Sequence, residues 1–170
     1  SLLWQKDVRR QLRDAHLVVP SLDAGHTSMF QAVNRPHESM SFDQMLEGLI
    51  DFREGYYGEY WLEVFLLAGH TAVESEVSRI TECVRRIKPD RVQLNTATRP
   101  TAEDYAVMVD RARMADIAGR FESAAEVIAD YHGIHAQSDF KAGREGVREM
   151  IQRRPCSLDD IAEGLNMHRN

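Results

Sequence analysis

Along the first 95 residues the apolar positions switch between two spacings. Trp4, Val8, Leu12 and Ala15 recur on one helical face, and the run LVVPSL that follows has the continuous apolar character of a strand. Leu17, Val18 and Val19 suit a strand covered on both faces. Ser41 with Gln44 forms a capping box that opens a helix, whose stripe is Phe42, Met45, Leu46, Leu49 and Ile50. Gly55 and Gly58 interrupt it before the strand YWLEVFLL. Thr71 and Glu74 make a second candidate box, and Val73, Val77, Ile80, Val84 and Ile87 then keep helical spacing until Pro89. RVQLN is the next strand. Thr101 with Asp104 resembles one more cap, before an Ala-, Met- and Val-rich helical stretch that runs to about residue 131. The predicted order is helix, strand, helix, strand, helix, strand, helix. Such alternation implies right-handed crossovers and a parallel sheet.

A different unit follows from residue 132 to 170. Residues 143–151 suit a short helix, RRP breaks it, and SLDDIAEGL reads as a second helix capped by Ser157 with Asp160. Ile161 and Leu165 face inward and Gly164-Leu165-Asn166 supplies a turn. That is the outline of a helix-turn-helix of winged-helix type, ending before its recognition helix. The expected organisation is therefore residues 1–131 as one unit and 132–170 as another.

The polar residues of the strands are placed unevenly. After LVVP, Ser21 and Asp23 share a face with Val19. In the second strand Glu63 shares a face with Trp61 and Phe65, and a carboxylate in so apolar a run is costly without a partner. In the third, Gln93 and Asn95 share a face, with Thr96 and Arg99 beyond. Each strand thus carries its polar groups on one face, toward or beyond its carboxyl half. Parallel α/β sheets and barrels gather ligand-binding groups there.

Composition narrows the class. With 43% apolar and 28% charged residues in 170, the chain reads as globular, and its longest apolar runs are far too short to cross a bilayer as a helix. A net charge of -6 argues against a nucleic-acid surface as the main purpose. Cys83 and Cys156 form no thiol motif and read as reduced cytosolic cysteines, so we expect a cytoplasmic protein. His132 and His135 have metal-compatible spacing but no convincing completing ligands, and the two Gly-His-Thr triplets at 25–27 and 69–71 suit turns and caps. A start at Ser1 and an end within a forming helix suggest an excised piece of a longer protein.

VPSLDAGHTSMFQAVNRPH, WLEVFLLAGHT and DRVQLNTATRP, taken together, resemble the second half of a radical S-adenosylmethionine (radical SAM) enzyme. The resemblance is to iron-sulfur oxidoreductases similar to molybdenum cofactor biosynthesis protein A, including a group with a C-terminal winged helix. It implies an α/β fold: a fragment of a partial (β/α)6 TIM-like barrel with parallel strands, followed by a small helical, winged-helix-like segment. It also implies S-adenosylmethionine and a [4Fe-4S] cluster, an electron donor such as ferredoxin or flavodoxin, and hydrogen abstraction from an unknown substrate. Ser21, Glu63 and Asn95 match cofactor-contacting positions, and Asp23 and Arg99 lie nearer the substrate. Arg35 and Arg99, each before a Pro, recur in this group; Arg suits a carboxylate or phosphate. No CxxxCxxC loop is present, so the cluster ligands are expected upstream of Ser1. On its own the piece is expected to be inactive, with its inner face exposed or covered by a contact. A competing expectation is a ligand-sensing regulator that binds nucleic acid through the C-terminal segment. A barrel lyase or aldolase is disfavoured because no strand supplies a Lys.

Overall fold

A computed structural model describes residues 1–98 and 106–131 of the chain. The elements, in order, are α1 (Lys6–Leu12), β1 (Leu17–Val18), α2 (Thr27–Asn34), α3 (Phe42–Glu54), β2 (Glu59–Leu66), α4 (Glu74–Ile87), β3 (Arg91–Thr96), α5 (Arg111–Ala118) and β4 (Ala124–Val127). The four strands form one parallel sheet in the order β1-β2-β3-β4. Because the order never reverses, right-handed crossovers put every connecting helix on the same side. A doubly wound sheet would bring helices to both faces. This is the wall of a partial barrel, and Ser1–Asp130 packs as one compact unit around it.

Burial follows that geometry. Tyr60, Leu62, Val64, Leu66, Val92 and Leu94 point under the helices and are 0–1% exposed. They meet the stripes of α3 (Met45, Leu46, Leu49), α4 (Val77, Ile80, Val84, Ile87) and α5 (Met114, Ile117), all buried. The alternate residues, Trp61, Glu63, Phe65, Arg91, Gln93 and Asn95, are all half-buried. The expectation that the first strand is covered on both faces fails: Leu17 and Val19 are 41% and 42% exposed. They lie on the side that carries no helix.

Local signals explain most of the elements. The Ser41–Gln44 capping box forms with both hydrogen bonds at 3.1 Å. The second box does not: Val73 is the N-cap of α4, and the buried Thr71 hydroxyl accepts from Leu67 N (2.8 Å) and donates to Phe65 O (3.3 Å). Thr71 therefore locks the turn leaving β2, while Glu74 pairs with Arg113 and Arg120. Two elements were not anticipated. The α2 helix buries only Phe30, too little to give a periodic signal. The long helix expected up to residue 131 is instead α5, capped by Asp110 on Arg113 N, followed by the strand Ala-Ala-Glu-Val. The expected Thr101–Asp104 cap, Arg99, His132, His135 and the whole 132–170 unit lie outside the described residues.

Candidate functional site: the open face of the sheet

The parallel register arranges the uncovered face in rows. Ser21 bridges Glu63, Glu63 is paired with Gln93, and Gln93 with Glu126. Neighbouring strands are about 4.8 Å apart, so four polar side chains stand side by side across the whole sheet. The same offsets put Val19, Trp61, Arg91 and Ala124 in the row toward the amino ends, and Phe65 and Asn95 in the row toward the carboxyl ends, where the Asp23 carboxylate meets Phe65 N. Barrel interiors are normally filled with branched apolar layers. A complete polar row is thus a departure from that pattern.

The rows are cross-linked. Asn95 Nδ2 donates to Glu63 Oε1 at 3.0 Å, and Asn95 Oδ1 accepts from Thr96 N at 2.9 Å, which fixes the amide orientation. Gln93 Nε2 donates to Glu126 Oε1 (3.0 Å) and Arg91 Nη1 to Glu126 Oε2 (3.2 Å). Gln93's hydrogen bond first, and then the Arg91 guanidinium, hold the Glu126 carboxyl below its ordinary range. Arg91 in turn lies over the Trp61 ring, 4.8 Å from its centroid. The Glu126 charge is therefore balanced by Arg91. That of Glu63 is not: Asn95 is its side-chain partner, and no cation pairs with it among the described residues.

Asp23 behaves differently from its neighbours. Its Oδ1 accepts from Phe65 N at 3.2 Å and its Oδ2 from Asn34 Nδ2 at 2.8 Å, linking β2 to the end of α2. Desolvation raises its pKa from the ordinary 3.8 against the lowering effect of these two bonds, and Glu63 adds to the rise. Two residues on, the chain is gripped from the other side. Gly25 N donates to Glu76 Oε1 at 2.6 Å, and His26 Nδ1 lies 2.9 Å from Glu76 Oε2. The Glu76 carboxylate is 1% exposed.

The structure thus brings Ser21, Asp23, Glu63 and Asn95 onto one face as the sequence suggests. Sequence reasoning missed Glu126, since a run of Ala and Glu favours a helix. It also missed Glu76, which looks like an ordinary first-turn acid of α4. Its only sequence signal is the close-packing Gly25, which cannot be matched to a partner from sequence. Arg35 caps α2 in the left-handed region (φ 44°). No group of three or more His, Cys, Asp or Glu side chains able to hold a metal occurs among the described residues. Cys83 is buried on α4, where desolvation pushes its thiol up to about 11. Among those residues no helix is long and apolar enough to cross a membrane.

No protein-family profile matches the chain. It is 37% identical over 169 residues to GTPase Obg of Brachyspira hyodysenteriae, covering 98% of this chain but 25% of that protein. A UPF0026 protein of Methanocaldococcus jannaschii is 33% identical over 105 residues, covering 62% of this chain and 33% of its own length. A UPF0026 protein of Helicobacter pylori strain J99 is 26% identical over 160 residues, covering 94% and 51%. The chain therefore spans from a quarter to about half the length of these relatives. Its 170 residues contain no Gly-x4-Gly-Lys-Ser/Thr phosphate-binding loop. Among solved structures, a radical SAM methyltransferase from Sphaerobacter thermophilus superposes with a TM-score of 0.60 at 14% identity, over 74% of this chain and 38% of that one. The shared feature is the fold, a portion of a radical SAM TIM-like barrel.

Proposed function

We propose that the open face binds S-adenosylmethionine, and that the chain forms one side of the barrel of a longer radical SAM oxidoreductase. The observation that carries this reading is Glu63. Its carboxylate stands on the uncovered face between Ser21 and Asn95 without a cationic partner among the described residues. S-adenosylmethionine is a cation at its sulfonium and its amine, and its ribose carries hydroxyl donors. Glu63 Oε2 is free to accept from such donors and to offset the charge. Ser21 Oγ supplies a further donor and acceptor, and Asn95, fixed by Thr96 N, orients Glu63. Trp61 and Phe65 add apolar walls in the adjoining rows.

The residues described here fit S-adenosylmethionine and do not fit an iron-sulfur cluster, which would be held by cysteines elsewhere in the longer protein. When bound, that cluster supplies the electron for reductive cleavage of the sulfonium. Arg99 is proposed near the substrate, and residues 132–170 as a separate C-terminal domain of a cytoplasmic protein. The likeness to a radical SAM fold and the acceptor-rich face support this over a nucleic-acid regulator.

The test is to reconstitute the full reading frame anaerobically with iron and sulfide and record the electron paramagnetic resonance spectrum of the reduced protein. A [4Fe-4S] signal that changes on adding S-adenosylmethionine, and no longer changes in Glu63→Leu, is expected. No cluster signal, or a change untouched in Glu63→Leu, would sink the assignment.

A further inference from the structure

The hydrogen-bond ladder between β1 and β2 has an irregular last rung. Glu59 N donates to His16 O and Glu63 N to Pro20 O, both at 2.9 Å, so each donor on β2 is matched to the carbonyl 43 residues earlier. Leu22 N donates back to Glu63 O at 2.9 Å. Continued by the same offset, the next donor, Phe65 N, would reach the carbonyl of Leu22. It reaches the Asp23 carboxylate instead. The backbone has turned toward Gly25 and the face of α4, where Glu76 holds it, and a side chain takes over the acceptor position. The second carboxylate oxygen is held by Asn34, so each oxygen already carries a donor. Ser21, two residues earlier and on the same face, lies inside the stretch that this rung closes.

We propose that Asp23 is a positioning residue: its carboxylate completes the β1–β2 ladder after the backbone has left it and so fixes Ser21 against Glu63. The proposal rests on the reading that Ser21 touches S-adenosylmethionine, and it gives Asp23 a different task from contact with the substrate. It requires an acceptor at this position, not a charge. An asparagine meets that need, since its Oδ1 accepts from Phe65 N and its amide donates to Asn34 once the Asn34 amide is turned over. Alanine cannot.

The experiment measures S-adenosylmethionine affinity of the full-length, anaerobically reconstituted protein by isothermal titration, for the parent and for Ser21→Ala, Asp23→Asn and Asp23→Ala. The expected pattern is a loss of about tenfold or more in Ser21→Ala and Asp23→Ala, with Asp23→Asn within about threefold of the parent. If Asp23→Ala does not fold, Asn34→Ala replaces it and is expected to weaken binding several-fold while Asp23→Asn still binds. Equal losses in Asp23→Asn and Asp23→Ala overturn the positioning role and make the carboxylate a direct contact. Unchanged affinity in Ser21→Ala overturns the cofactor reading itself, and the task assigned to Asp23 falls with it. Full binding by Asp23→Ala overturns only the positioning role.

Discussion

Replacing Gly25 with alanine tests how tightly the chain leaving β1 is held. A Cβ built at Gly25 would stand 2.5 Å from Arg79 Cβ, 2.8 Å from Ile80 N and 2.9 Å from the Arg79 carbonyl carbon. Carbon atoms in contact prefer about 3.5–4.0 Å, so roughly 1 Å of displacement is needed. Two of the three obstacles are α4 backbone and cannot rotate aside. Either the strain stays, at about 1–3 kcal/mol for an overpacked site, or the loop lifts off. A 1 Å lift stretches the 2.6 Å bond from Gly25 N to Glu76 beyond hydrogen-bonding range. Losing a hydrogen bond to a charged group costs about 1.5–3 kcal/mol, and this carboxylate is 1% exposed. The two costs partly exclude each other, giving about 2–4 kcal/mol in all. With a urea slope of about 2 kcal/mol/M, the unfolding midpoint falls by about 1–2 M. Gly55→Ala is the control. The nearest atom to its built Cβ is Asp51 O at 3.9 Å, and its φ of -103° is open to alanine. It should be neutral or stabilising by up to about 1 kcal/mol. Urea titration followed by tryptophan fluorescence measures both. If Gly25→Ala falls within about 0.5 kcal/mol of Gly55→Ala, the loop is not clamped on α4 and the reasoning fails.

Thr71→Val removes the buried hydroxyl that accepts from Leu67 N, and should cost about 1–3 kcal/mol in the same assay. Glu74→Ala, the other half of the expected capping box, should cost less than Thr71→Val because its pairs with Arg113 and Arg120 are on the surface; the opposite ranking would restore the box. Cys83 should resist iodoacetamide at pH 8 until the protein unfolds, since it is 5% exposed and its thiol is pushed up to about 11. Peptide mapping that finds it alkylated in native protein would contradict that burial. The raised pKa of Asp23 means that its ionisation opposes folding. Stability from this group is full below the ordinary 3.8 and is lost as pH rises through the higher folded value. Asp23→Asn should therefore lose less stability than the parent as pH rises from about 4, and a steeper loss refutes the assignment.

What could be read from the sequence followed from how local each signal is. Helices α3 and α4 carry long apolar stripes, β2 is a largely apolar run of eight residues, and β3 alternates Val92 and Leu94 with polar residues, so pattern located them. The polarity of Ser21, Glu63 and Asn95 was visible for the same reason, since alternation assigns faces along a strand. The pairing of faces between strands was not visible, because register depends on tertiary packing. Hence Gln93 was seen to share a face with Asn95, while its partner Glu126 lay hidden in a four-residue strand of weak β propensity. The partners of Asp23 lie 11 and 42 residues away and that of Gly25 lies 51 away, distances at which periodicity carries no information.

The two acidic residues of the polar row are in register on the same face, yet their settings differ, and the cause lies in their neighbours. Beside Glu126, Arg91 enters from the row below and Gln93 from the same row, so both oxygens are engaged and the charge is balanced. Beside Glu63 the neighbours are Ser21, Gln93 and Asn95, none of which carries charge, and the ionisable group nearer the carboxyl ends is another acid, Asp23. A fold that needed only to close this row could have repeated the arginine. Without an arginine, Glu63 presents its carboxylate on the open face to any cation that enters from the carboxyl side. If the face binds S-adenosylmethionine as proposed, isothermal titration should show affinity falling in Glu63→Gln and changing little in Glu126→Gln, although the two differ by only two strand spacings.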